Sequence, residues 1–435
     1  MQLPISSNID NYSPPRRPAS KIWGVLKRAL PTTDSSVRFW WHTTGQPLAI
    51  MLEKADYDMH NQYAALLFHY HYIINHLGAP PAPRGTPHSW KSYATDDFSP
   101  IEYSWTWTPS PHIRYGIEAI GPHAGSISDP YNQTQADLLV NDLKSSISGL
   151  DWRLYDFFRQ EFAAVSANDT LCSQCTDPSG TSPSSLGLAF EPWEGGIGAK
   201  AYFIPVEAYR KSSTSLDIAT RSFQKLQQKG LRLPAYDSFL EFMQDKSHLS
   251  FLGLAVDCVD VGMSRFKLYA RSTQTSFDDV CSTLRTGLPE HPIWTSDLLS
   301  QLRKLWYLVL GLDDSFATSA ELPSKDHSTA GVLYNFDIQS EDQNFDTTVY
   351  IPVRHYAHND LEIITGLAAF LNKNGTGWDW GWNIQRYSEM LMDMCPYREL
   401  GARCGVQTYI SVKPKKEGLF LTSYLNVEIY SRGTF

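Results

Sequence analysis

The 435-residue chain is poor in several features, and each shortage excludes something. Six cysteines are too few to staple a chain of this size, and a cytosolic setting would keep them reduced. Cys172-Ser173-Gln174-Cys175 stands alone in a Ser/Thr/Pro-rich stretch with no second pair at zinc spacing, so no metal or redox centre is expected there. No apolar run reaches the roughly 18 residues of a membrane helix. The opening residues MQLPISSNIDNYSPPRRP lack the charged start and apolar stretch of a secretory signal. A soluble, cytoplasmic protein is the expectation, with residues 1–20 a flexible tail and the sequons at Asn132, Asn168 and Asn374 accidents of composition. A formal net charge of −9 lacks the basic surplus of a nucleic-acid binder. The acidic pairs Asp96-Asp97, Asp278-Asp279 and Asp313-Asp314 never extend into D-D-x-x-D, the pattern that holds magnesium diphosphate, so no metal is expected.

What is present is a recurring pairing of cations with tyrosine. Lys200-Ala201-Tyr202, Arg265-Phe266-Lys267-Leu268-Tyr269, Val349-Tyr350 and Ser423-Tyr424 all end in tyrosine, and two of them carry alternating cations. In a strand alternate side chains share a face, so Arg265, Lys267 and Tyr269 point one way while Phe266 and Leu268 point the other. The polar face is expected to be enclosed and the apolar face covered. Tyr115 (beside Arg114), Tyr202, Tyr269, Tyr350 and Tyr424 recur at intervals that suit one strand pair plus two helices. Helical periodicity runs through 59–77, 134–165, 235–245, 295–311 and 358–372. Five such units predict an α+β fold: about ten antiparallel strands closing a barrel around the active site, ringed by helices. The stretches 78–90, 166–185 and 319–330 read as loops rather than linkers, and residues 1–435 as one domain with 42% hydrophobic residues to fill its core.

Cations on the inner face of a barrel cannot remain charged without a partner, because desolvating an unpaired charge costs several kcal/mol. Either protein carboxylates pair with them or an external anion does, and a diphosphate with about three negative charges would suffice. The tyrosines tip the reading toward a ligand. Aromatic faces stabilise cations by about 0.5 to 2 kcal/mol each and a ring of them excludes water, which suits an allylic diphosphate that ionises to a carbocation.

These residues resemble the fungal aromatic prenyltransferases of the dimethylallyltryptophan synthase type. The resemblance covers nearly the whole chain, through Trp40-Trp41-His42-Thr43-Thr44, Tyr57-Asp58, Ile101-Glu102-Tyr103-Ser104-Trp105, Ile113-Arg114-Tyr115, Gly125-Ser126-Ile127-Ser128-Asp129-Pro130-Tyr131-Asn132 and the strand around Tyr424. It implies the ABBA-type prenyltransferase barrel and metal-independent transfer of a dimethylallyl group from dimethylallyl diphosphate to a small aromatic acceptor in secondary metabolite biosynthesis. It further implies that Arg114, Lys200, Arg265 and Lys267 bind the diphosphate, and that Tyr202, Tyr269, Tyr350, Tyr409 and Tyr424 shield the allyl cation, some donating to phosphate oxygens. Glu102 would accept a hydrogen bond from the acceptor, usually an indole N–H, pushing electron density into the ring as it becomes cationic, with Ile101 beside it in the acceptor site. Neither nucleic acid nor membrane is implied, and a homodimer is compatible with the resemblance.

Departures from the family pattern bear on the acceptor. Residues 181–199 contain no lysine where enzymes alkylating tryptophan at C4 carry a base. Ser250-Phe251-Leu252-Gly253-Leu254 lacks an arginine that helps hold the amino acid carboxylate, and Ile204, Thr348 and Phe420 replace tyrosine, glutamine and tyrosine. Tryptophan or another indole remains the leading acceptor, a phenolic or polyketide-derived polycyclic aromatic is the alternative, and a non-catalytic diphosphate-binding barrel comes third. Other motifs have plainer readings. His69 and His71 fall on different sides of a helix. Gly195-Gly196-Ile197-Gly198-Ala199-Lys200 lacks phosphate-loop spacing and reads as a hairpin turn before a strand opened by Lys200. Trp40-Trp41 and the 378–382 tryptophan cluster read as packing, and Lys413, Lys415 and Lys416 as a turn, with Lys415 a minor candidate for the diphosphate.

Overall fold

A computed structural model describes residues 21–32, 34–81, 90–162, 182–205, 214–285, 293–373 and 380–431. The proposed tail at 1–20, Cys172, Cys175, Asn168, Asn374 and Trp378 lie outside the described residues. Ten strands form the frame: β1 (Ile101–Thr106), β2 (Ile113–Ile117), β3 (Leu186–Trp193), β4 (Gly196–Phe203), β5 (Leu249–Asp257), β6 (Arg265–Ser272), β7 (Val332–Gln339), β8 (Asp346–Ile351), β9 (Gln407–Lys415) and β10 (Gly418–Leu425). Each pairs antiparallel with the next, and β10 pairs back onto β1, so the sheet closes and leaves no edge. The ten-stranded antiparallel barrel expected from the repeats is the observed one.

Alternation explains why the barrel closes around a polar interior. On β6 Phe266 and Leu268 are fully buried on the outer face, where Phe266 meets Phe158 and Phe223 at ring-centroid distances of 6.2 and 5.3 Å. Phe158 comes from the helix Arg153–Glu161 and Phe223 from Ser215–Gln228, so these helices bury the outer face of the barrel. The periodic stretch 134–165 is two helices, Thr134–Ser146 and Arg153–Glu161, broken where Gly149 takes φ 91°. The stretch 59–77 begins as a helix capped by Asp58, then widens into a π turn at His69–Ile73 and tightens at Ile74–His76. Pro234–Asp245, Ser296–Leu310 and Asp360–Lys373 match the remaining predictions. Ser296–Leu310 starts on a Thr295 side-chain cap and stops at left-handed Gly311, so its ends are written into the sequence.

Two local features place site residues. Gly195, with φ 100°, makes the tight connection between β3 and β4, which confirms a hairpin; Lys200 lies inside β4 rather than at its start. In β5 the register slips between Phe251 and Gly253, and a side chain at Gly253 would collide with the Phe203 carbonyl, so this crowded bulge requires glycine. Asn132 is buried, donating to Glu118 (3.1 Å) and to the Ala119 carbonyl (2.8 Å), in keeping with an accidental sequon. Trp40 and Trp41 are core residues, whereas Trp382 is exposed with Arg386 stacked 3.6 Å over its ring.

Candidate active site

The barrel interior is arranged in layers, and β6 alone samples three of them. Arg265, Lys267, Tyr269 and Arg271 face inward at successive alternate positions, about 7 Å apart at the rise of a strand. The first layer, on the side of the hairpin turns, holds the predicted cations. Arg114 on β2, Lys200 on β4, and Arg265 and Lys267 on β6 come together here, joined by one residue that the sequence reading misplaced. Lys413 is not in a turn; it sits on β9 and faces inward, while Lys415 and Lys416 are exposed.

Every cation of this layer has a carboxylate. Asp257 bridges Lys200 and Arg265, the latter at 2.8 Å. Asp337 bridges Lys267 at 2.9 Å and Lys413 at 2.7 Å, and Asp346 lies 3.1 Å from Lys413. Arg114 Nε stands 3.4 Å from Glu191. The protein therefore supplies its own counter-ions, and the charge argument by itself does not demand an external anion. Burial, reinforced by the nearby positive charges of Lys200 and Arg265, lowers the Lys267 ammonium to about 8 against the pull of Asp337. Burial would raise Asp337, yet Lys267 and Lys413 outweigh it and hold that carboxyl at about 2.

The second layer is aromatic. Tyr202 and Tyr269 lie 6.1 Å apart between ring centroids, Tyr269 and Tyr350 6.3 Å, and Tyr350 and Tyr424 5.6 Å. Tyr409 stands edge-on to Tyr350 at 6.3 Å. All five line one cavity of about 290 Å³, together with Arg114, Lys200 and Glu102. Burial raises all five phenols above their usual range, so they are neutral hydroxyl donors at ordinary pH.

In the third layer Glu102 borders the cavity while protein encloses it, and Thr408 Oγ1 donates to its Oε1 at 2.7 Å. Burial pushes the Glu102 carboxyl up to about 8; the Thr408 bond and Arg354 only partly offset this, and Asp96 adds to it. Ile101 is one residue away and hence on the other face, fully buried in the outer layer, which corrects its expected place among the acceptor contacts. Arg271, which lines the cavity beside Tyr409, was missed. The signal was the strand parity, which runs on for one more inward position beyond Tyr269.

Loop residues lie behind this layer. Thr329 Oγ1 is 2.9 Å from His327 Nδ1, 2.7 Å from His355 Nε2 and 3.0 Å from Asp96 Oδ1. Asp96, His327 and His355 offer ligand atoms within 4.8 Å of one another, but the Thr329 hydroxyl sits among them and Arg354 holds Asp96 at 2.7 Å. Acidic residues of the pairs have structural duties: Asp97 accepts from the backbone of Ser99, Tyr430 and Ser431, and the Asp279 carboxylate accepts from the Ser276 hydroxyl, which in turn caps the helix start by accepting from the Asp279 backbone N–H. His69 is buried against Thr44 and His71 is exposed, so they form no pair.

Comparison with known proteins comes from three directions. Residues 36–390 match a family described as tryptophan dimethylallyltransferase. The prenyltransferase anuH of Penicillium roqueforti is 33% identical, over 96% of this chain and 95% of its own length. The 7-dimethylallyltryptophan synthase hasE of Aspergillus fumigatus is 31% identical, over 94% of this chain and 89% of its own. Among solved structures, AnaPT from Neosartorya fischeri superposes with a TM-score of 0.79 at 21% identity, covering 95% of this chain and all of that one.

Proposed function

The chain belongs to the tryptophan dimethylallyltransferase family, and from that premise we propose that it transfers a dimethylallyl group from dimethylallyl diphosphate to an aromatic acceptor, with an indole such as tryptophan leading. The observation that carries this reading is the stacking of a cationic layer, an enclosed tyrosine layer and Glu102 along one cavity. Arg114, Lys200, Arg265 and Lys267 take the diphosphate, exchanging part of their carboxylate pairing for phosphate oxygens. The C–O bond breaks, the bonding pair leaves with the diphosphate, and Tyr202, Tyr269, Tyr350, Tyr409 and Tyr424 face the allyl cation while keeping water away. An aromatic carbon, nitrogen or oxygen supplies the pair for the new bond and the displaced proton departs to a base. Glu102 accepts from the acceptor's N–H or O–H and stabilises the ring as positive charge develops. The cations perform the electrostatic task that a metal performs elsewhere, so the reaction is proposed to need none.

A phenolic or polyketide-derived polycyclic acceptor is the second reading. It is favoured by Leu252 and Leu333, which add apolar surface to the lining of the cavity. Within this proposal the protein acts in the cytoplasm, within fungal secondary metabolism. No helix among the described residues is long and apolar enough to cross a membrane. The deciding experiment incubates the purified protein with dimethylallyl diphosphate and EDTA against tryptophan, indole dipeptides, tyrosine and hydroxynaphthalenes, with mass-spectrometric detection. One added dimethylallyl group on an indole supports the leading reading; addition to phenols alone supports the second. No transfer to any of them, with dimethylallyl diphosphate still bound, returns the protein to a binding role.

A further inference from the structure

Arg271 is the exception to the pairing rule of this barrel. The cations of the first layer reach carboxylates at Glu191, Asp257, Asp337 or Asp346. Arg271 lines the same cavity, yet among the described residues it has no ion-pair partner. Its Nη1 donates to the carbonyls of Thr329 and, at 3.4 Å, Ala330, and to Tyr409 Oη at 3.3 Å, all of them neutral. The carboxylate behind those carbonyls, Asp96, is held by Arg354. Glu102, the other carboxyl bordering this end of the cavity, has Thr408 as its partner.

A guanidinium presents a planar fork of donors and stays charged at any working pH. Placing it at a cavity wall with only neutral partners is costly unless the complex supplies an anion, since a buried charge is ordinarily paired. We propose that Arg271 is a specificity-determining residue that receives an anionic oxygen of the acceptor, a carboxylate or a phenolate. The proposal rests on the prenyltransferase reading and adds a charge requirement at the end of the cavity remote from the diphosphate. Because β6 carries both Lys267 and Arg271, one strand spans two anion sites with Tyr269 between them. An acceptor anchored at Arg271 has its ring against the aromatic layer and within reach of Glu102. A phenol docked there would release its proton to solvent on binding and be held as phenolate, the more nucleophilic form of the ring.

The test uses matched pairs: indole-3-propionate against its carboxamide, and 2-naphthol against its methyl ether. Each pair is titrated into the full-length protein by calorimetry and assayed for prenyl transfer, with the natural sequence and with Arg271→Gln and Arg271→Lys. A charge-assisted hydrogen bond predicts that the protein binds the acidic member about 10- to 100-fold more tightly than its neutral partner. Arg271→Gln should erase that ratio without changing the affinity for dimethylallyl diphosphate, and Arg271→Lys should keep part of it. Preference for the carboxylate pair alone identifies an aromatic acid as the acceptor class, and preference for the phenol pair alone identifies a phenol. Equal binding of both members by the natural sequence, or a ratio that survives Arg271→Gln, overturns the proposal and leaves Arg271 as a clamp on the 329–330 loop. Binding is read without turnover, so absence of prenyl transfer would count against the enzyme reading and not against this one. A melting curve for each variant separates a lost contact from a lost fold.

Discussion

The two ends of the cavity solve the problem of buried charge in opposite ways. At the hairpin end, cations and carboxylates are interleaved on neighbouring strands, so that Asp257 on β5 stands across from Lys200 on β4 and Asp337 on β7 across from Lys267 on β6. At the far end, Glu102 and Arg271 have only hydroxyls and carbonyls as direct partners. The first arrangement is stable without a ligand and must be partly undone to admit one. The second is left electrostatically open. A diphosphate brings enough charge to compete with the built-in carboxylates, whereas a small aromatic does not, so only the second end can afford to wait unpaired.

The comparison breaks most severely if the hairpin end is disarmed. Lys267→Met should reduce kcat/KM for dimethylallyl diphosphate by about a thousandfold, in line with losing a charge-assisted donor to a developing anion, as steady-state rates would reveal. A loss below tenfold would mean that the diphosphate binds elsewhere. Glu102→Gln should lower kcat about a hundredfold and leave the affinity for dimethylallyl diphosphate unchanged, which separates the two ends by their kinetic signatures. An equal effect on diphosphate affinity would join them.

The pH profile sharpens the contrast. In the proposed mechanism Glu102 works as a carboxylate and Lys267 as an ammonium; the first rises to about 8 and the second falls to about 8. The kcat/KM should therefore climb with pH up to about 8 and decline beyond it; Glu102→Gln should flatten the acid limb alone. Stability follows its own sign. Folded Glu102 retains a proton that the unfolded chain has released between pH 4.5 and about 8, so ionisation costs stability as pH rises through that window. Glu102→Gln should consequently melt higher than the natural sequence at pH 8.5, and a lower melting temperature would place that carboxyl in a more polar setting. The mildest change is Asp257→Asn, which frees Lys200 and Arg265. Calorimetry should show inorganic diphosphate binding about tenfold more tightly, with a lower melting temperature in its absence. Unchanged affinity would mean that the carboxylate does not compete with the ligand.

Much of this could be read from the chain because strand alternation is an exact code. Arg265-Phe266-Lys267-Leu268-Tyr269 states which side chains share a face, and the repeat of that pattern states that the faces meet around a closed sheet. The counter-ions are hidden because Glu191, Asp257 and Asp337 are single acidic residues on other strands: only the register sets Asp257 opposite Lys200 and Asp337 opposite Lys267, and only the folded sheet brings Glu191 to Arg114. Lys413 was misread because Pro414 and two further lysines resemble a turn, although proline is tolerated in β9 near its end. Ile101 enters the acceptor site only through the family resemblance, whereas its position next to Glu102 in a strand puts it on the opposite side.

Closure of the barrel has a consequence for the life of the nascent chain. Trp107 donates to Ser423 from 316 positions away, and β1 finds its second neighbour only in the last strand, β10. While the ribosome is still making β9, β1 has an exposed edge and the tyrosine-lined interior is open to water. Contacts of such long range form slowly, and an unpaired strand invites pairing with another chain. Truncation before Gly418 should thus cost far more than the loss of one eight-residue strand would suggest, yielding aggregates rather than a nine-stranded enzyme. Yield of active protein should depend on how well cells shield that first strand until β10 has been made.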